Sequence, residues 1–298
     1  MSQPGHPGAP DREPVLCHDE RVMGTVVSFD VRPGPVPLSD ARLALRRACV
    51  ALARADAVFS LWKPDSPMSR LRRGELAQAD APPEVAEVLA RCALARHRSA
   101  GWFDPWAMPG GLDPTGLVKG WAARRALEVL VAAGVAGAMV NAGGDVATAG
   151  SPAPGEPWRI GVTDPGDRSR LLCVVASPGA VATSGTYERG PHIFDPFRGL
   201  PRTRWRSATV MGPELDLADA LATGLCAAGA AGAQFVAEAA GYTAVVVDDL
   251  GRARVVGEAP IQEPAGGHAG ENTTPGRALQ IWSADRSGAG PPLPIPSG

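Results

Sequence analysis

The sequence predicts an α+β fold of mixed, largely antiparallel sheets packed with helices. Short β-rich segments with alternating apolar residues recur between turn-forming residues. Longer segments with apolar residues at helical spacing are interspersed among them, without the strict alternation of strand and helix that a doubly wound parallel sheet requires. The chain has 298 residues, of which 45% are hydrophobic, so it can bury a large core.

The first half of the chain contains one predicted strand and three predicted helices. The alternating segment Val22–Val31 predicts the strand. Helical spacing predicts helices over Leu38–Phe59, Pro82–Ser99 and about Leu117–Ala133, and the second of these begins with Pro-Pro. The turn-rich segment Gly101–Gly116 is predicted to be a loop between the second and third helices.

The second half alternates between short strands and short helices. Turn signals separate the apolar segments, and a closing hairpin is predicted around Asp248–Gly251. The predicted strands are Ala138–Asn141, Trp158–Thr163, Leu171–Ala176, Arg204–Val210, Thr243–Val247 and Arg252–Val256, and the predicted helices are Leu217–Ala228 and Gly232–Ala240.

Proline and glycine are concentrated at both ends of the chain. Such a composition buries too little apolar surface to offset the entropy of ordering. We therefore expect a disordered tail over residues 1–20, one folded domain over residues 21–260 and a flexible tail over residues 261–298.

The bulk composition disfavours several classes of partner. A net charge of −2 provides no general attraction for nucleic acid, and no uninterrupted apolar stretch approaches the 18 residues of a membrane-spanning helix. The N-terminus lacks the apolar segment of a signal peptide, and the five scattered cysteines have neither metal-ligand nor redox spacing. We expect a cytoplasmic protein with no nucleic acid partner and no membrane insertion.

The segment LADALATG carries a possible metal site. Asp219 and Thr223 are four residues apart on a predicted helix, so they share a face in an otherwise apolar background. A carboxylate and a hydroxyl are the hard oxygen ligands that Mg²⁺ prefers. The alternative is an acidic residue near a helix N-terminus, favoured by the helix dipole, with an incidental threonine.

The segment DPTGLVKG could bind a diphosphate. Asp113 begins a tight turn, Gly116 permits close approach of the backbone, and Lys119 lies near the start of a helix. Lys119 is also one of only two lysines, with Lys63, among 29 basic residues. A capped helix with a surface lysine is the alternative. The Gly-Gly run after Asn141 could likewise admit a ligand or form a plain β-turn.

A polar run, ATSGTYERGPHIFDP, follows later in the chain. Thr183 and Ser184 offer hydroxyls beside a glycine, and His192 could donate to a phosphate or carry a proton near neutral pH. Ser184 lacks the G-x-S-x-G sequence of a nucleophile elbow, which disfavours a serine hydrolase.

Taken in order, these segments resemble the ApbE family of flavin transferases, which move FMN from FAD onto a threonine of a target protein. The matching segments span about residues 23–230, and the most specific are the TSG-x-Y…H-I-x-D-P block and the AD-x-x-x-T segment that follows it. They also include MGTVVSF, FSLWKPDSPMSRL, GWFDP, DPTGLVKG, NAGGDV and WRIGVTDP.

The resemblance implies roles for individual residues. Asp219 and Thr223, with the backbone carbonyl of Gly116, are implied as the Mg²⁺ ligands. Lys119 and His192 are both candidates to stabilise charge or to move a proton. The residues implied as FAD contacts are Met23, Trp62, Phe103, Asp104, Asp113, Lys119, Thr183, Ser184 and His192.

The implied activity is a Mg²⁺-dependent transfer of FMN from FAD to a threonine of an acceptor protein, with release of AMP. Two alternatives stay open: hydrolysis of FAD at the same metal site, and FAD binding or delivery without catalysis. Three features depart from the family pattern: a short link between GWFDP and DPTGLVKG, Arg124 where an acidic residue is usual, and Ala222 before the metal-site threonine.

Overall fold

The computed structural model describes residues 14–185, 193–258, 261–262 and 280–282. Its strands are β1 (Leu16–Val22), β2 (Thr25–Arg32), β3 (Gly137–Ala142), β4 (Asp145–Gly150), β5 (Arg159–Asp164), β6 (Asp167–Ala176), β7 (Ala180–Gly185), β8 (Phe194–Asp195), β9 (Leu200–Pro201), β10 (Ser207–Gly212), β11 (Thr243–Val247), β12 (Ala253–Val256), β13 (Ile261–Gln262) and β14 (Gln280–Trp282). Its α-helices are α1 (Leu38–Phe59), α2 (Pro67–Arg72), α3 (Pro83–Arg98), α4 (Thr115–Ala132), α5 (Leu215–Ala228) and α6 (Gly232–Glu238).

The strands form one large sheet and two small ones. The large sheet has the order β1-β2-β3-β4-β7-β10-β11-β12-β14, and its described pairs are antiparallel except β12 with β14. A second sheet has the order β13-β6-β5, and β8 pairs with β9. The predicted α+β class, with largely antiparallel sheets packed with helices, is confirmed.

The large sheet is covered on both faces, which creates two cores. Helices α1, α4 and α5 pack together on one face, where the larger core includes Ala182 and Val210. The neighbouring residues Val181 and Met211 point to the opposite face and pack with Val162 and Cys173 of the second sheet. Because strand residues alternate between faces, β7 and β10 contribute to both cores.

Most predicted elements are present, with shifts of a few residues at their ends. Helix α1 has the predicted bounds, and the predicted hairpin of β11 and β12 forms with antiparallel pairing. The sequence interpretation missed α2, β4 and β7. Strands β4 and β7 are rich in Ala, Gly and Thr and lie in the middle of the covered sheet, so they lack the alternation of a half-buried strand.

The first predicted strand is a hairpin in the structure. Strand β1 ends at Val22 and β2 begins at Thr25, and the turn residues Met23 and Gly24 have φ values of 53° and 69°. Positive φ at both turn residues gives the twist of a two-residue hairpin. The N-terminal tail predicted over residues 1–20 is therefore too long, since Leu16–Glu20 pair with β2; its many charged residues suit an exposed edge strand.

The two ends of the chain are only partly described. Residues 1–13 lie outside the described residues, as does most of the predicted tail over residues 261–298. Within that tail, Ile261–Gln262 pair with β6 and Gln280–Trp282 pair with β12. The segment Leu215–Glu238 has the length and hydropathy to cross a membrane, but 72% of its apolar window is buried inside the fold, as in the core helix of a folded domain.

Candidate functional site

A single cavity of about 1150 Å³ brings together nearly all of the predicted site residues. Its walls come from the β1–β2 hairpin, the end of α1, the loop before α4, the first turns of α4, the end of β7 and one face of α5. The predicted residues that line it are Met23, Trp62, Phe103, Asp104, Asp113, Gly116, Lys119, Thr183, Ser184, Asp219 and Thr223.

His192 is the one predicted site residue that lies outside the described residues, which resume at Ile193. Ile193, Phe194 and Pro196 line the same cavity. The chain on both sides of the undescribed segment 186–192 therefore borders the site, because Gly185 lines it as well. The role of His192 stays a prediction.

Helices α4 and α5 cross closely at a glycine. A Cβ atom at Gly120 would lie 2.9 Å from both the Cα atom of Asp216 and the carbonyl oxygen of Leu215. Real Cβ atoms do not approach backbone this closely, so the crossing requires glycine. One turn earlier on α4, Gly116 lines the cavity that Asp219 of α5 also lines. This close crossing places the first turn of α4 opposite the polar face of α5.

Three oxygen-bearing side chains line the cavity where α5 packs on β7. Asp219 and Thr223 both line the cavity from α5, and the Asp219 side chain is buried at 5% exposure. The Ser184 hydroxyl lies 3.0 Å from the Thr223 hydroxyl, so β7 adds a third oxygen to the pair predicted from helical spacing. Behind this contact, the Cys226 thiol donates to the carbonyl oxygen of Ser184 at 3.1 Å. Burial raises the pKa of the Cys226 thiol to about 12.

Lys119 lines the same cavity and forms an ion pair with Asp145. Asp145 is 1% exposed, and its other carboxylate oxygen accepts the backbone N–H of Thr183 at 2.9 Å. Asp145 thus joins α4, β4 and β7. The Thr183 hydroxyl is 2.9 Å from that of Thr209, and strand alternation places it with Val181 on the sheet face away from the helices. Thr183 and Ser184 therefore direct their hydroxyls to opposite faces.

The run NAGGD forms a tight turn between β3 and β4. The Asn141 side chain accepts the backbone N–H of Gly144 at 2.8 Å, and Gly143 has a φ of 61°. A Cβ atom at Gly143 would lie 2.5 Å from the Thr25 hydroxyl, so glycine lets this turn pack against β2. The β-turn interpretation of Asn141 is confirmed. The functional candidate is Asp145, the last residue of the motif.

Polar contacts with the start of α4 and with α2 hold the loop that precedes α4. The Asp113 carboxylate accepts the backbone N–H of Thr115 at 2.9 Å and the Thr115 hydroxyl at 2.6 Å, which fixes the turn that leads into α4. Arg72 of α2 donates to the carbonyl oxygens of Pro109 and Gly110. Its guanidinium also lies 3.9 Å from Asp113. The short link between GWFDP and DPTGLVKG is therefore a compact loop tied to α2.

Aromatic and charged residues border the cavity beyond the polar centre. Phe103 is buried beneath α4, where a Cβ atom at Gly116 would lie 3.2 Å from its ring. Asp104 is paired with Arg96 at 2.6 Å. Trp62 lines the cavity and is 95% exposed, so its indole ring makes few contacts with the rest of the protein. The ring is therefore available to a ligand.

The sequence interpretation missed two groups around the site. Asp145 was not singled out because only the folded chain places it against Lys119. Lys63, noted only as a rare lysine, forms an ion pair with Asp56, and both residues line the cavity. Asp195 of the H-I-x-D-P block is fully buried and pairs with Arg204 at 3.2 Å, so that carboxylate supports the adjacent wall.

Comparison with known proteins finds similarity to one family of flavin transferases. Residues 23–111 and 106–246 match the sequence pattern of the ApbE family. The chain is 35% identical over 139 residues to a FAD:protein FMN transferase of Vibrio cholerae serotype O1, an aligned region that covers 43% of this chain and 42% of that protein. It is 38% identical over 127 residues to one of Rhodobacter capsulatus, covering 40% and 24%. The matched region is thus less than half the length of these relatives.

Solved structures share the fold over a larger part of the chain. The ApbE protein of Thermotoga maritima has a TM-score of 0.71 at 22% identity, covering 80% of this chain and 96% of that one. The flavinyl transferase ApbE of Pseudomonas stutzeri, in its apo form, has a TM-score of 0.70 at 21% identity, covering 84% and 95%. Because the family pattern matches well over half of the sequence, and the fold agrees with it, the chain belongs to the ApbE family.

Proposed function

We propose that the protein is a FAD:protein FMN transferase that acts on a threonine of an acceptor protein and releases AMP. The observation that carries this proposal is the convergence of Asp219, Thr223 and Lys119 on one cavity that is large enough for a dinucleotide. The relatives with the same family pattern carry that activity in their names.

The donor set fits a magnesium ion. Asp219 and Thr223 present oxygen atoms from adjacent turns of α5, and the Ser184 hydroxyl lies next to Thr223. Carboxylate, hydroxyl and carbonyl oxygens suit Mg²⁺, which keeps some waters and phosphate oxygens as its remaining ligands. Asp219, Thr223 and the carbonyl of Gly116 would hold the ion. When bound, it would neutralise charge on the diphosphate of FAD.

The chain's own residues supply binding and orientation. Lys119 is anchored by Asp145, so its ammonium group is held at the cavity wall, where it can donate to phosphate oxygens. Phe103 and Trp62 offer aromatic surfaces for the rings of the flavin or the adenine. The N-terminus of α4 adds the backbone N–H of Gly116, which favours an anion, whereas the N–H of Thr115 already donates to Asp113.

The proposed reaction is a substitution at phosphorus. The acceptor threonine oxygen bonds to the phosphorus of the FMN half, the bond from that phosphorus to the bridging oxygen breaks, and AMP leaves with the bridging oxygen. The hydroxyl proton passes to a base, and His192 is the candidate from the sequence. Catalysis of this kind rests mainly on positioning and on neutralising charge.

The test is a reaction of the purified protein with FAD, Mg²⁺ and a flavin-acceptor domain. We expect the acceptor to gain the mass of FMN at a threonine, with one AMP released for each FMN attached. Asp219→Asn should reduce the rate by roughly 100-fold or more, because the variant loses the charge that attracts the metal. Exposed Asp249→Asn serves as the matched control and should react like the wild type.

The same experiment separates the two alternatives. Steady AMP release without an acceptor would indicate hydrolysis of FAD instead of transfer. Tight FAD binding with no AMP under any condition would indicate a binding or delivery protein. Either result would overturn the proposed transferase activity.

A further inference from the structure

A cluster of three potential metal ligands lies outside the cavity, between β1 and α1. Within the described ranges, the ligand atoms of His18, Glu20 and Cys49 all lie within 4.8 Å of one another. His18 and Glu20 are two apart on β1 and therefore point to the same face, and their side chains approach to 3.1 Å. Cys49 reaches the same point from α1.

We propose that His18, Glu20 and Cys49 form a zinc site that joins the edge strand β1 to helix α1. A nitrogen, an oxygen and a sulfur ligand form a set typical of Zn²⁺ and unsuited to Mg²⁺, which prefers oxygen ligands only. This site differs in chemistry from the oxygen cluster of Asp219 and Thr223. It does not depend on the proposed transferase activity.

The geometry requires only small side-chain movements. Zinc bonds of about 2.0–2.3 Å in a tetrahedron hold neighbouring ligand atoms roughly 3.3–3.6 Å apart. The cluster is already within 4.8 Å, and one of its pairs is at 3.1 Å. The side chains of His18 and Glu20 retain 41% and 37% of their surface, so water can occupy a fourth position. The site is therefore reachable from solvent.

The thiol is the ligand that must change its protonation state. Burial, followed by the nearby Glu20 carboxylate, raises the pKa of Cys49 to about 11. A thiol must lose its proton to bind zinc, so the ion competes with that proton. The charge of the ion also relieves the repulsion between the Glu20 carboxylate and the thiolate.

The consequence would be a cross-link between two elements that each continue into the cavity wall. Strand β1 leads directly into Met23 at the hairpin turn, and α1 continues to Phe59, and both residues line the cavity. An edge strand has a partner on one side only, so a metal bond to α1 would add a second attachment. Zinc binding to the folded state would then raise the thermal unfolding temperature.

The test uses Co²⁺ as a spectroscopic probe and Zn²⁺ as a competitor, with the full-length protein in excess Mg²⁺ to fill oxygen-only sites. We expect a thiolate-to-cobalt charge-transfer band that Zn²⁺ abolishes. Cys49→Ser should remove the band, and His18→Ala should weaken zinc binding by roughly tenfold or more. Cys17→Ser changes the neighbouring exposed cysteine and is the matched control. This variant should retain both the charge-transfer band and the zinc affinity of the wild type.

Two results would overturn the proposal. The first is the absence of a charge-transfer band in the wild-type protein. The second is equal zinc affinity in the Cys49→Ser and Cys17→Ser variants. Circular dichroism in the presence of a chelator checks that each variant is folded, and exposed His18→Ala provides an independent measurement if Cys49→Ser unfolds.

Discussion

Lys119 and Asp145 form an ion pair that joins helix α4 to strand β4 at the wall of the cavity. The carboxylate is almost fully buried and also holds the backbone of Thr183, so one residue fixes the position of the ammonium group and the path of β7. In the proposed reaction, this arrangement would make Asp145 a positioning residue for Lys119.

Asp145→Asn should lower kcat/KM for flavin transfer by roughly 10- to 100-fold, or about 1.4–2.7 kcal/mol. Asparagine can still accept the N–H of Thr183, so the fold should persist, but it no longer anchors the ammonium by charge. Steady-state kinetics with an acceptor domain measures the effect. Asp248→Asn removes a carboxylate paired with Arg252 on the distant hairpin and should leave the rate unchanged. Wild-type kinetics for Asp145→Asn would show that the ion pair is incidental.

Thr183 and Ser184 should respond differently to the loss of their hydroxyls. Ser184→Ala removes an oxygen 3.0 Å from Thr223 and should reduce Mg²⁺-dependent activity, with a higher Mg²⁺ concentration needed for half-maximal rate. Thr183→Val breaks the contact with Thr209 on the other face and should cost about 0.5–1.5 kcal/mol of unfolding free energy. Thr183→Val should lower the reaction rate less than Ser184→Ala does.

Magnesium titrations of activity, together with chemical denaturation, test this separation. The two variants serve as controls for each other, because the residues are adjacent and both lie on β7. Equal shifts in magnesium dependence for both variants would contradict the assignment of the two hydroxyls to opposite faces.

Gly120→Ala should separate α4 from α5. The added methyl group would lie 2.9 Å from backbone atoms of Leu215 and Asp216, and backbone cannot move aside cheaply. We expect a loss of about 1–3 kcal/mol in stability and weaker FAD binding. Gly224→Ala is the matched comparison, since its closest contact would be 3.3 Å and alanine favours the helix by up to about 1 kcal/mol.

Thermal unfolding and fluorescence titration with FAD measure the two effects. Gly224→Ala should be close to neutral, because the tighter packing and the better helix propensity offset each other. If both glycine variants lost equal stability, the close crossing at Gly120 would not be the cause.

Buried thiols should make the protein less stable at alkaline pH. Burial raises the pKa of Cys92 and of Cys226 to about 12, well above the ordinary thiol value of 9.0. Below pH 9 these thiols keep their protons in both the folded and the unfolded chain. Their contribution to the free energy of unfolding is therefore fully present there. As pH rises from about 9 toward 12, the unfolded chain loses protons that the folded chain retains, and stability falls by up to about 1.4 kcal/mol per pH unit for each thiol.

Denaturant unfolding across this pH range measures the slope. Cys226→Ala should reduce the slope, whatever its effect on absolute stability, while Cys17→Ala removes an exposed thiol and should leave the slope unchanged. A stability that rises between pH 9 and 11 in the wild-type protein would contradict the expected direction.

The sequence predicted local patterns well and long-range contacts poorly. Asp219 and Thr223 could be paired from helical spacing because both lie on one uninterrupted helix. The contact of Ser184 with Thr223 spans 39 residues, and that of Asp145 with Lys119 joins a strand to a helix, so neither follows from spacing within one element. The resemblance to a family, not periodicity, suggested that these segments share a site.

The missed strands have a related physical explanation. Strand β4 reads DVATAG and β7 reads AVATSG, and each has only one valine and one threonine among small or acidic residues that do not identify a strand. Small side chains suit a position between helices on one side and a second sheet on the other. Met23 in a two-residue turn was also missed, since a non-glycine residue with positive φ is uncommon there.

The position of β7 in the middle of the nine-stranded order has a consequence for motion. Its backbone is paired on both sides, and α5 lies on its face, so amide protons of Val181–Ser184 can exchange with solvent only when much of the sheet opens. The tip at Met23–Gly24 is held by a hairpin at the sheet's edge and can fluctuate on much shorter timescales. We therefore expect a large ligand to enter by movement of the hairpin at the sheet's edge. The groups around Ser184 would keep their arrangement during this movement.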